Sequence, residues 1–215
     1  MTHTTRLLVA ASCLVTVPAA PVAQSAPARA AIEQKLDVEK ARVYVATLQP
    51  RVPTPSPNGH ATHRVLVHLD DGTMTFKGAT GAPETLRFKR GDVRWRAASG
   101  AYVAENTGDR PIRILEIDLK GAPSGPLPAT KLDPPLVDPK HYTIDFENEH
   151  VRVMRVHFDP HDKGAQHEHI LNRVVVYMND QGQMKADGVR MAGAAVHAEQ
   201  NETDTPQDRI AIELK

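Results

Sequence analysis

The sequence predicts an all-β protein of two tandem barrels, the second shortened by about one hairpin. Two observations predict it. The chain repeats itself internally, which sets the architecture. Each repeat consists of short β-patterned runs separated by Gly, Pro and Asp turns, without long helical periodicity.

The N-terminus comes first. Met1 to Arg6 is short and carries one positive charge, Leu7 to Val17 is apolar, and Ala19, Ala20, Ala23, Ser25 and Ala26 follow. That succession reads as an export signal over residues 1–26, so the expected location is periplasmic or secreted. The apolar run is shorter than the ~20 residues a membrane span needs. The chain's one cysteine, Cys13, lies inside the signal. A lipoprotein anchored through Cys13 is the weaker alternative, because Ala10-Ala11-Ser12 lacks a large aliphatic residue and residues 14–17 are still apolar. Processing at the signal removes the cysteine and with it any disulfide. The stretch Ala30 to Glu39 reads as a short helix.

The repeat spans residues 38–120 and 140–215. RVYVATLQP from Arg42 answers RVMRVHFDP from Arg152, and HRVLVHLDDG from His63 answers NRVVVYMNDQG from Asn172. GDVRW from Gly91 answers GVRMAG from Gly188. ENTGDRP from Glu105 answers QNETDTP from Gln200, and RILEIDLK answers RIAIELK. Val65 to Leu69 and Val174 to Met178 read as strands that end on hairpin signals, Asp70-Asp71-Gly72 and Asp180-Gln181-Gly182. Between Gly72 and Gly91 the first block has room for an extra hairpin, whereas only QMKAD separates Gly182 from Gly188. A clipped sheet exposes an edge, and a homodimer is one way to cover it. Residues 121–139, rich in Pro, read as a semi-rigid linker.

Composition narrows the function classes. With 26 basic and 26 acidic residues the net charge is zero, and no footprint for nucleic acid or an anionic membrane is present. A Gly-rich phosphate loop, a Ser or Cys nucleophile motif and zinc-finger spacing are all missing. What stands out is Gly164-Ala165-Gln166-His167-Glu168-His169, with His197 further on. Histidines at i and i+2 project from one face of a strand, and a third imidazole completes a three-nitrogen site. Three neutral imidazoles suit a divalent Fe, Mn, Ni or Zn with open coordination positions. Each histidine alone reads as an ordinary hydrogen-bonding residue; their shared placement is the signal.

These residues resemble the two motifs of the cupin superfamily. Gly164, His167 and His169 match the first motif. Gly188, His197 and Asn201 match the second, as do Gly91, Gly100 and Asn106 in the first block. The chain is similar to a two-domain bicupin over nearly all of its length beyond the signal. The resemblance implies a double-stranded β-helix, or jelly-roll, barrel for each half, with a metal or ligand in the barrel mouth. The family's Glu is missing after His169, where Ile170-Leu171-Asn172-Arg173 follows, so the implied site has three protein ligands. In the first block His60 stands opposite His169, Asn58 opposite His167, and Tyr102 opposite His197. The set His60, His63 and Tyr102 therefore reads as a degenerate site, with His68 off the template.

Around the second site, Glu199 shares the strand face of His197, as a carboxylate orienting an imidazole or as a solvated charge. Tyr177 lines the cavity or packs as an aromatic, and Asn201 is grouped with the pocket. The repeat-related pairs Arg64 and Arg173, and Arg94 and Arg190, read as structural rather than anion-binding. His157 and His161 read as solvated; His141 and His150 carry no recognisable spacing. Two functions fit. One is an exported small-molecule metalloenzyme of oxygenase or isomerase type. The other is a non-catalytic periplasmic binding or structural bicupin. Either takes a small molecule as its partner, with no nucleic acid and no membrane span.

Overall fold

Two five-stranded antiparallel sheets, one from each repeat, form the frame of the computed structural model. It describes residues 31–56, 61–125 and 128–215 together with Met1. The first sheet has the order β1-β2-β9-β4-β7. These strands are β1 (Ala31–Asp37), β2 (Ala41–Leu48), β9 (Ile112–Leu119), β4 (Arg64–His68) and β7 (Val93–Arg96). The second has the order β10-β11-β16-β13-β14. Its strands are β10 (Tyr142–Glu147), β11 (Val151–Phe158), β16 (Gln207–Leu214), β13 (Arg173–Tyr177) and β14 (Val189–Ala192). Four matched pairs of sequence segments take the same places in the two sheets, as β2 and β11, β4 and β13, β7 and β14, and β9 and β16.

A smaller sheet closes each barrel. In the first half it has four strands, β3-β8-β5-β6. They are β3 (Pro53–Pro55), β8 (Tyr102–Asn106), β5 (Gly72–Gly78) and β6 (Glu84–Phe88). In the second half it is reduced to β12 (His167–His169) and β15 (Ala195–His197). The hairpin β5–β6 occupies the extra segment expected between Gly72 and Gly91. The fold is thus nearly all β, two jelly-roll barrels in tandem with the second clipped.

The expected helix over Ala30 to Glu39 is not formed; β1 runs there instead. It pairs with β2 through Ile32 opposite Ala46 and Leu36 opposite Val43, with a register shift between Gln34 and Leu36. Strand β10 pairs with β11 in the same way, with its shift between Ile144 and Phe146. The repeat therefore begins one strand earlier than the sequence match. Helical propensity is a weak prior, and edge pairing with a bulge overrides it here. The linker region holds a short helix, α1 (Pro134–Val137), with proline in its first turn. Residues 2–26 of the expected export signal, Asn58 and His60 lie outside the described residues. Among the described residues no helix is long and apolar enough to cross a membrane.

Strand alternation divides the side chains between two environments. Val43, Val65, Val67, Leu115 and Ile117 of the first half meet Val151, Val153, Val174, Ile210 and Ile212 of the second in one apolar core. The opposite faces look into the two barrels, where Leu66, Met74, Phe88 and Ile114 fill the first, and Tyr142, Met154 and Phe158 the second. This explains why β4 and β13 are buried along their whole length. Both faces are covered, so near-continuous apolar runs replace strict alternation. The shared core predicts that Ile212→Ala lowers stability by about 2–5 kcal/mol. Both halves should still unfold in one transition, checked by calorimetry and urea unfolding; two separate transitions would contradict the shared core.

His68 faces into the first barrel, 1% exposed and stacked on Phe88 at 3.7 Å between ring centroids. Neither ring nitrogen has a hydrogen-bond partner among the described residues. Burial pushes its pKa down to about 4 from 6.5, with Arg94 and Arg96 adding to the fall and Asp92 opposing it. A depressed folded pKa means that its contribution is fully present above about pH 6.5 and is lost as pH falls toward 4. That loss is worth about 3 kcal/mol. His68→Leu should leave stability at pH 7 unchanged or higher and flatten the acid loss by about that amount. Urea unfolding at the two ends of the range measures both.

Candidate metal centre

The site begins at Gly164. A Cβ there would lie 2.7 Å from Oδ2 of Asp138 and 3.1 Å from the Phe158 ring, so only glycine fits. Asp138, just past α1, accepts the Ala165 N–H at 2.9 Å and also bonds Nδ1 of the buried His141 at 2.6 Å. The end of the linker thus fixes the start of β12. Strand β12 pairs antiparallel with β15, placing His167 opposite His197 and His169 opposite Ala195. His167 and His169 are buried and share a face; His197 is half-buried.

The three imidazoles converge as expected from the sequence. One ligand nitrogen from each lies within 4.8 Å of the others, the only such group of His, Cys, Asp or Glu among the described residues. His167 Nδ1 lies 2.9 Å from the Ala165 carbonyl, which can only accept, so Nδ1 carries the proton there. His169 Nδ1 lies 2.9 Å from Oε1 of Glu213. Nε2 of His167 and Nε2 of His197 are both buried without a hydrogen-bond partner. Burial pushes His197 down to about 4 and also lowers His167, so both stay neutral near pH 7 with lone pairs available. Orphaned, neutral nitrogens aimed at one point fit a divalent transition metal. Metal–nitrogen bonds of ~2.0–2.2 Å bring ligand nitrogens to roughly 3–3.5 Å, a contraction within reach of small side-chain rotations.

Glu213 is the functional residue that sequence reasoning missed. It is wholly buried, and its other oxygen takes Nε of Arg152 at 2.8 Å and Nη2 at 2.7 Å. Arg152 in turn bonds Asp133 beside α1 at 2.7 Å. Burial alone would raise the Glu213 pKa, but the bond from His169 and the Arg152 charge hold it below the usual range. An ionised carboxylate behind a ligating imidazole fixes its tautomer and increases its basicity. A signal was available: Glu213 and Asp118 take the same place in the two closing strands, each opposite the conserved-in-repeat arginine, Arg173 or Arg64.

Of the residues grouped with the pocket, Glu199 and Asn201 differ from expectation, and Tyr177 takes the packing role that is one of its two readings. Glu199 makes no bond to an imidazole; it accepts the Tyr142 hydroxyl at 3.0 Å and pairs with Arg209 at 2.8 Å. Burial raises its pKa, but Arg209, Tyr142 and His197 outweigh burial and keep it ionised. Tyr177 is a packing residue, buried against Val175, Ala192 and Met184. Asn201 locks a turn: its amide donates to the carbonyls of Phe158, Asp159 and Thr205, and its Oδ1 accepts from Thr203. Asn106 does the same in the first half, bonding the carbonyls of Leu48 and Arg110.

The arginines divide: Arg94 sits at the surface beside Asp92 and Arg64 bonds Tyr102 near Glu116, as the structural reading has it, whereas Arg173 has no carboxylate partner among the described residues. Arg64 and Arg173 are 0% and 4% exposed, and both occupy inward-facing positions. Arg173 joins Tyr142, His169, Arg190, Glu199 and Arg209 in lining a small pocket beside the histidines. In the first barrel Arg64 takes the place of a metal set. It donates to the Tyr102 hydroxyl at 2.8 Å, with Glu116 at 3.9 Å and Tyr44 bonded to Glu116 at 3.1 Å. Burial pushes Glu116 up to about 7. His63 is remote from that cluster; it stacks on Trp95 and on His150 of the second half. His157 and His161 lie on the surface, paired with Asp208 and Asp204.

Fold and site together define a cupin-fold protein with a three-histidine candidate metal centre in its second barrel. Sequence comparison finds no matching family model and no matching curated protein. Solved structures do match. AerE from Microcystis aeruginosa aligns with a TM-score of 0.63 at 11% identity, over 86% of this chain and 92% of its own. A cupin 2 conserved barrel domain protein from Leptotrichia buccalis gives 0.56 at 11%, over 89% and 92%. Streptomyces albus HEPD, solved with 2-hydroxyethylphosphonate and Fe(II), gives 0.64 at 8%, over 86% and 71%. At these identities the likeness is one of fold.

Replacing His167 or His197 with Ala should lower metal affinity at least about tenfold, because two ligands remain. His60→Ala should leave it unchanged. Glu213→Gln should weaken it about 10–100-fold with the fold intact. Competitive titration against a chelator, followed by elemental analysis, reads all four variants. Full metal content in His197→Ala would refute the site.

Proposed function

We propose that the protein is an exported, metal-dependent cupin that binds and transforms a small molecule in its second barrel. One observation carries this reading: Nε2 of His167 and of His197 are buried without a partner, and His169, which converges with them, lines a small pocket that also holds an ionised carboxylate and a hydroxyl. A divalent Fe, Mn, Ni or Zn bound by three imidazoles would supply Lewis-acid or redox chemistry at its open positions.

The chain's own residues supply the rest. Glu213, Ala165 and the strand pairing orient the imidazoles. Glu199, ionised and within reach of the pocket, is placed to take a proton from a bound molecule, and Tyr142 and Arg209 hold its carboxylate in position. The apolar walls of Val156, Val175 and Ala211 limit water around it. Oxygenase and isomerase chemistry both fit this equipment. The export part of the proposal rests on the charged, apolar and small-residue succession of residues 1–26.

Protein purified from the periplasm without added metal should carry close to one equivalent of a transition metal. After exchange for Mn(II), water-proton relaxation should show open, solvent-exchanging positions. A metal-loaded protein without relaxation enhancement would favour the non-catalytic alternative.

A further inference from the structure

Arg173 is unusual among the buried charges of this protein. Its Nη1 donates to the Gly193 carbonyl at 2.7 Å, and no carboxylate lies within ion-pairing distance among the described residues. Nε and Nη2, the edge of the guanidinium that receives a carboxylate bidentately, make no hydrogen bond there. Every other buried or nearly buried arginine of the second barrel has a carboxylate. Arg152 has Glu213 and Asp133, and Arg209 has Glu199. The Glu213 and Glu199 charges act on Arg173 without pairing with it, and a buried cation short of a directly paired carboxylate is costly and suits an anion. The surroundings agree. Among the described residues, Arg190 stands at the pocket's exposed rim without an ion pair, Arg209 keeps a buried Nε without a partner, and Glu199 is the only carboxylate lining the pocket. Three guanidinium groups against one carboxylate leave the pocket with an excess of positive charge, on the same wall as His169.

We propose that Arg173 is the anion anchor of this pocket, and that the molecule taken there is a small organic carboxylate held bidentately by Nε and Nη2 beside the three histidines. This deepens the metal reading above and rests on it for the reaction, though not for the binding. The pocket is small, so only a ligand of few non-hydrogen atoms suits it, with some adjustment of the side chains around it. Glu199, adjacent and ionised, then faces the uncharged part of the ligand, since two carboxylates repel.

Acetate and its neutral isostere acetamide test this on the full-length processed protein, both metal-free and zinc-loaded, by NMR of the arginine Nε–H signals. Acetate should bind saturably in both forms and shift the Arg173 signal, whereas acetamide should not. Arg173→Met should weaken acetate binding about 10- to 100-fold, and Arg173→Lys should restore part of it. Zinc stoichiometry should stay unchanged in both variants. Equal binding of acetate and acetamide to the metal-free wild type, or wild-type acetate affinity in Arg173→Met, overturns the proposal. Should Arg173→Met fail to fold, a preference below about threefold for acetate over acetamide in the metal-free wild type overturns it. A wild type that binds acetate through Arg173 but no zinc keeps this inference and refutes the metal reading. A wild type that binds zinc without discriminating acetate from acetamide does the reverse.

Discussion

The apolar core between the two five-stranded sheets is the constraint on which the rest of the structure depends. Val43, Val65, Val67, Leu115 and Ile117 face Val153, Val174, Ile210 and Ile212 across it. Each such side chain contributes about 1.5–3 kcal/mol on full burial, so this one seam outweighs any single polar interaction in the chain. Because strands alternate, committing one face of each sheet to the seam commits the other to a barrel interior. The positions of Arg64, Glu116 and Asp118 in one half, and of Arg152, Arg173, Arg209 and Glu213 in the other, follow from that division. A one-residue slip of any strand would exchange the two sets and bury charge in the seam.

Within this shared scaffold the two barrels have diverged. Both keep the turn-locking asparagine, Asn106 or Asn201, and the inward arginine, Arg64 or Arg173. In the first barrel the arginine donates to Tyr102 and lies 3.9 Å from Glu116. In the second the carboxylates are drawn elsewhere, Glu213 to His169 and Arg152, and Glu199 to Tyr142 and Arg209. The histidines and Arg173 are left with unmet bonding capacity.

The linker takes part in the site as well as joining the halves. Asp133 and Asp138 flank α1, and they reach the histidine cluster by two routes, through Arg152 to Glu213 and through Ala165 to the start of β12. Anchoring at both points limits how far His167 and His169 move, which matters for a site whose ligand nitrogens must close to bonding distance.

Much of this was legible in the residues. The internal repeat and the Gly-bounded turns determined the number, order and type of most strands, and the length of the Gly72–Gly91 segment determined where the barrels differ. The His-x-His spacing put two ligands on one strand face, and the resemblance to the second cupin motif picked out the third. Those features are local, written in periodicity and spacing. Tertiary structure decided what depends on contacts distant in sequence. The bulged pairing of β1 overrode a helical pattern. The mutual packing of the sheets followed from apolar runs that sequence alone cannot assign to a barrel or a seam. The partnerships of Glu213, Glu199 and Arg173 arose because each lies in a strand whose inward neighbours come from other strands. A buried charge is identified in sequence, but the partner it finds, or lacks, is fixed only when the strands are assembled.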